Sequence, residues 1–158
     1  MKNESKLDRI NKLIKQIEEE NILNGEAVGF SGEKTEQYIC FEKLMNIASD
    51  QEFLSLSKHK NAVVRCYAIW TLSKMKYEKM FEVIKEHIDD VETVETFFGC
   101  RLGGMTVIEF SLNYCNLSIG EKAELKQMYG SNPKLELEAK KNIDKLREQL
   151  KTKYFNKG

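Results

Sequence analysis

The chain has 158 residues, with 25 Lys and Arg balanced by 25 Asp and Glu. That length suits one domain able to bury a sizeable core, and the zero net charge weighs against duplex nucleic-acid binding, which needs a surplus of cations to displace counterions. No apolar run is long enough to span a bilayer, and the charged start, Met1-Lys-Asn-Glu-Ser-Lys-Leu-Asp8, does not read as a secretory signal. A cytoplasmic chain is therefore expected, with no membrane and no nucleic acid among its partners. Cys40, Cys66, Cys100 and Cys115 are widely spaced and form no CxxC pair, and His59 and His87 stand outside zinc-finger spacing. Reduced core thiols and no metal or cofactor are the expectation.

Leu7, Ile10, Ile14 and Ile17 recur at steps of three and four, which predicts an amphipathic helix over about 4–24. Residues 25–32 carry three glycines and read as a loop, with Gly25 as the helix C-cap and Phe30 anchored onto the core. Helices follow over about 35–49, capped by Thr35, and 50–58, capped by Asp50. Asn61 caps a helix that ends near 74–76. Val63, Val64, Tyr67, Ala68, Ile69, Trp70 and Leu72 cover most of its girth, so it is buried between neighbours. A helix over about 78–88 comes next. Residues 91–115 admit two readings, a β-hairpin turning at Gly103-Gly104 or a glycine-rich loop followed by a helix at about 104–115. The helix is preferred because its helical neighbours need a packing partner of similar shape. Ser118 and Glu121 form a capping box. Asn132-Pro133 opens a terminal helix marked by Leu135, Ala139, Ile143, Leu146 and Leu150, with a basic, frayed tail from Thr152.

A shift of about 30 residues aligns Phe53-Leu54 with Val83-Ile84, Ala62-Val63-Val64 with Glu92-Thr93-Val94, and Leu72 with Leu102. Both copies read as helix, short polar turn, apolar segment. The run His59-Lys-Asn-Ala-Val-Val-Arg65-Cys-Tyr-Ala68 followed by Leu72 resembles the turn and second helix of a HEAT-like repeat of the short bacterial type. The resemblance implies an all-α fold, a short α-α superhelix, with an irregular or β-hairpin insertion at 91–110 as the open variant. The whole of 1–158 would be one helical-repeat domain. Its clearest repeat lies at 50–76, its degraded copy at 80–115, and its terminal helices at 4–24 and 133–151. It also implies a structural ladder in which Arg65 bridges to Asp89 or Asp90. The second copy departs from the family: Glu95 stands where the arginine would be, and Gly99, Gly103 and Gly104 interrupt its second helix.

The run Gly99-Cys-Arg-Leu-Gly-Gly104-Met-Thr106 approaches a phosphate-loop pattern, but Met105 replaces the lysine that meets the phosphates, so nucleotide binding is not expected. Cys66 and His59 sit across a turn and are expected to point apart, and Asp89-Asp90 with His87 is too sparse for a metal site. No catalytic set assembles. The expectation is a non-catalytic protein-interaction module on a HEAT-like scaffold, contacting its partner through Arg101, Glu95 and Phe98. The alternative is an enzyme or small-ligand domain with its site at the glycine-rich loop 99–104. A large enclosed pocket beside Arg101 favours the alternative, and a shallow open groove favours the module.

Overall fold

Polar side chains that bond the first free amides set most helix starts. Ser5, Ser49, Thr106 and Ser118 each form a capping box with Asp8, Glu52, Glu109 and Glu121, while Thr35, Asn61 and Asn132 cap singly. The structure, a computed structural model, describes residues 3–156. In chain order the elements are α1 (Lys6–Glu20), β1 (Ile22–Val28), α2 (Glu36–Ile47), α3 (Asp50–Leu56), α4 (Ala62–Lys74) and α5 (Met80–Glu86). The hairpin β2 (Thr93–Gly99) and β3 (Arg101–Thr106) follows, then α6 (Val107–Tyr114), α7 (Ile119–Gly130) and α8 (Pro133–Tyr154).

The girth of α4 is apolar, and every residue from Ala62 to Ile69 is buried. It touches α1, α3, α5, α6, β1 and β2, which makes it the axis of the core. The sheet has the order β1-β2-β3, with β1 parallel to β2 and β3 antiparallel to it. A parallel pair needs a long crossover, and the segment from α2 to α5 supplies it. Alternation along β2 buries Val94 and Thr96 on one face. Phe98, on that same face, meets Trp70 of α4. On the other face Glu95 meets Lys153 and Tyr154 of α8.

The expected all-α superhelix is corrected to a mixed fold, eight helices and a three-stranded sheet among the described residues. The α3–α4 pair is a helical hairpin, but its downstream copy is not. Ala62-Val63-Val64 open a helix, whereas the aligned Glu92-Thr93-Val94 lead into β2. The β-branched and aromatic run Thr93–Phe98 follows its strand preference, and strand pairing on both sides decides the outcome. The hairpin turns at Gly99–Cys100 and not at Gly103-Gly104, with Gly99 in the left-handed region at φ 57°. Such a φ at the first loop residue suits the mirror-image turns that join twisted strands. A helix does follow, at Val107–Tyr114, after the glycines have served as strand.

At the N-terminal side, Asn21 (φ 52°) ends α1 before Gly25 is reached, and residues 22–28 form a strand where a helix end and loop were expected. The cap of α3 is Ser49, one residue before Asp50. The terminal helix runs through Tyr154, so the tail is held and not frayed from Thr152.

Candidate interaction surface

Arg65 is 8% exposed. Its Nε and Nη2 donate to the two Asp90 oxygens at 2.9 and 3.0 Å, and Nη2 also donates to Glu92 at 2.6 Å. Nη1 donates to the carbonyls of His59 and Lys60 at 3.0 Å each. All five guanidinium donors are thus used within the chain, so Arg65 ties the α3–α4 turn to the link between α5 and β2. Asp89 is exposed and takes no part in this cluster. Burial works to raise the Asp90 carboxyl, but hydrogen bonds from His87 and Arg65 outweigh it and hold the group below its ordinary value. For the Arg65 guanidinium, burial opposes the charge and the Asp90 and Glu92 carboxylates more than offset it. His59 accepts from the Asn61 amide at 3.0 Å and stands 3.4 Å from Glu18.

The thiols divide. Burial pushes Cys66 well above its ordinary value and Cys115 up to about 12, so both stay protonated at neutral pH. Cys100 departs from the expectation of core thiols: it is free and exposed at the hairpin turn. Among the described residues, no group of three or more His, Cys, Asp or Glu side chains is arranged to hold a metal ion.

The three residues expected to meet a partner do not share one face. Phe98 and Arg101 are directly opposite each other across the hairpin, so they project to the same side. Glu95 projects to the other side, beside Gly104, and its carboxylate accepts from Lys153 at 3.0 Å and from the Tyr154 hydroxyl. It serves α8.

Around Phe98 the sheet brings together aromatics that the chain order keeps apart. Tyr114 of α6 stacks on Phe98 with centroids 4.9 Å apart, and Trp70 meets Phe98 edge-on at 6.2 Å. Phe110 stacks under Tyr114 at 5.1 Å and meets Trp70 edge-on at 5.7 Å, and Trp70 in turn stacks on Phe41 at 5.9 Å. Phe110 and Phe41 are fully buried, Trp70 and Phe98 are half-buried, and Tyr114 is 40% exposed. Lys74 lies over the Trp70 ring at 4.7 Å. The outcome is a surface of Trp70, Phe98 and Tyr114 flanked by Lys74 and Arg101, rooted in the core so that its outer rings are rigid. Trp70 read from the sequence as scaffold, and Tyr114 and Lys74 carried no signal there; their meeting depends on the hairpin.

Beside this surface, two loop tips are joined. The Gly29 amide donates to the Gly99 carbonyl at 2.8 Å, and the Cys100 thiol lies 3.5 Å from the Gly29 carbonyl. Phe30, expected as a core anchor, is fully exposed at the end of the loop. The reciprocal Val28 and Glu33 hydrogen bonds, 2.8 and 3.0 Å, close that loop so tightly that its tip points outward.

Arg101 and Cys100 are exposed and line no enclosed chamber, and Leu102 is half exposed. A depression of about 460 Å³ lies elsewhere, between α1 and α2, lined by Glu19, Glu20, Glu36 and Lys43 among others. The phosphate-loop pattern at Gly99–Thr106 is a hairpin, without the loop that would wrap a phosphate before a helix. No helix is long and apolar enough to cross a membrane among the described residues. Comparison of the chain with family models, curated proteins and solved structures found no match.

Proposed function

We propose that this chain is a non-catalytic protein-interaction module of the cytoplasm, and that its partner docks on the aromatic surface beside the β2–β3 hairpin. The observation that carries the reading is the cluster of exposed Tyr114 with half-buried Phe98 and Trp70, flanked by Arg101 and Lys74. Trp, Tyr and Arg dominate the energetics of protein interfaces, because large rigid rings bury area at low entropic cost and guanidinium pairs with carboxylates in a fixed geometry. Two cations at the rim favour a partner with carboxylates beside an apolar anchor. Phe30, standing clear of the surface on its short loop, supplies a further apolar contact. The α3–α4 helical hairpin supports the sheet from the centre of the mixed fold.

Tagged chain expressed in its native cells, with the recovered proteins quantified against a tag-only control, tests this. One protein enriched with the native chain and reduced about tenfold or more by Arg101→Glu combined with Tyr114→Ala is expected, since two hot-spot losses of about 1 kcal/mol or more each exceed one decade. Equal recovery with the double variant, or no enriched protein, contradicts the proposal.

A further inference from the structure

The two edges of the sheet are treated differently. On β1 the outer groups are partnered: the Ile22 carbonyl accepts from Gln37 at 3.0 Å, the Tyr67 hydroxyl bonds both the Asn24 amide (2.9 Å) and its carbonyl (3.2 Å), and Val28 pairs with Glu33. A strand cannot add there. On β3, Phe98 and Arg101 close a two-residue turn, which makes them a hydrogen-bonded pair. The main-chain groups of Arg101, Gly103 and Met105 therefore face β2, and those of Leu102 and Gly104 face outward. The next outward amide, Thr106, is taken by the Glu109 carboxylate at 3.0 Å. Leu102 and Gly104 have no such partner among the described residues. Folded proteins usually blunt an open edge with charge, proline or a bulge. From Leu102 to Thr106 this edge carries no charged side chain and no proline, and its register with β2 is unbroken.

We infer that the β3 edge receives an extended strand of a partner protein, which adds to the sheet as a fourth strand. This deepens the proposed interaction role and rests on it. A second copy of the chain does not fit as occupant. Helix α8 lies over β3 more than over β2, with Leu146 against Gly104. Pairing β3 with its own copy sets two such helices over strands about 4.8 Å apart, whereas packed helices need about 8–10 Å between axes. A single extended segment avoids that collision. Its chemistry follows from its neighbours. Leu146 fills the space over Gly104, but a methyl at Gly103 would meet only the Thr96 hydroxyl, at 3.6 Å, so Gly103 leaves unfilled surface that an aromatic or β-branched cross-strand residue covers best. Arg101, on the face shared with Phe98, calls for a carboxylate. The partner strand therefore carries an apolar residue and a carboxylate two positions apart, on the face shared with Phe98.

Panning short randomised displayed peptides on the full chain supplies the probe. The enriched peptides are expected to carry an aromatic or β-branched residue two positions from a carboxylate. Leu102→Pro removes only an outward amide, and it should weaken the best peptide about tenfold or more, while Leu102→Ala, which keeps the amide, stays within about threefold. In the unmodified chain that peptide should slow amide exchange at Leu102 and Gly104, a readout independent of any variant's folding. Peptides that bind Leu102→Pro equally well, or leave those two amides unprotected, overturn strand addition. If their binding is nonetheless lost in Arg101→Glu combined with Tyr114→Ala, the aromatic surface stands without it. No enrichment over an unrelated bait overturns strand addition, and the aromatic surface then stands or falls on the co-purification comparison above.

Discussion

Arg65 is a residue whose role is fixed by counting donors. With all five committed to Asp90, Glu92 and two carbonyls, it has nothing left to offer a ligand. Arg65→Ala strands the largely buried Asp90 carboxylate and two carbonyls, while Glu92 stays solvated, and should cost about 3 kcal/mol in denaturant unfolding. Arg65→Lys should recover only part, because an ammonium has three donors and no planar fork. An unchanged midpoint in the alanine variant would remove the structural role. Asp90 adds a pH dependence with a definite sign. It faces Arg65 and His87, and Glu92 shares the same guanidinium. Its folded value is depressed, so it contributes stability above the ordinary carboxylate range, and that contribution is lost as pH falls through the folded value. In Asp90→Asn, the loss of stability on acidification should be shallower than in the native chain, measured as unfolding midpoint against pH. The motif named Arg65 with Asp89 or Asp90, and the structure pairs Arg65 with Asp90, as a single bridge within a mixed fold. Glu92 was not legible, since the repeat alignment assigned it to a helix start.

At the scale of elements, the hairpin is where sequence and structure part. Glycines 99, 103 and 104 read as interruptions of a helix, yet Gly99 opens the hairpin turn and Gly103 and Gly104 pair with Thr96 and Glu95. A methyl group at Gly104 would stand 2.1 Å from Leu146 Cδ2, 3.2 Å from Leu146 Cγ and 3.3 Å from the Val94 carbonyl. Gly104→Ala should therefore lift α8 from the sheet or distort β3, at a cost of about 1–3 kcal/mol in denaturant unfolding. That requirement comes from a helix far along the chain, so no local pattern announces it. Helix starts were legible for the opposite reason: Thr35, Asn61, Ser118 and Asn132 each bond an amide three residues on. Strand β1 was hidden because Ile22-Leu23-Asn24 is too short to show a period and gains its form from pairing with Glu95, Thr96 and Phe97.

For the molecule as a whole, the buried helix α4 was readable from its apolar girth, and it organises the core as expected. What it organises was not readable. A parallel β1–β2 pair brings together segments separated by four helices, and only that pairing lays Phe98 beside Trp70 and Tyr114. The candidate surface is a product of topology. Its two expected members on one face, Phe98 and Arg101, came from composition; their partners Tyr114, Trp70 and Lys74 came from the fold. Hydrogen exchange of the chain, alone and bound to its co-purified partner, tests the central claim most directly. Docking on the aromatic surface should slow exchange only in the hairpin and α6, about residues 97–104 and 110–115, with α1 and α7 unchanged. Slowing centred on the α1–α2 depression instead, with the hairpin unaffected, would contradict it.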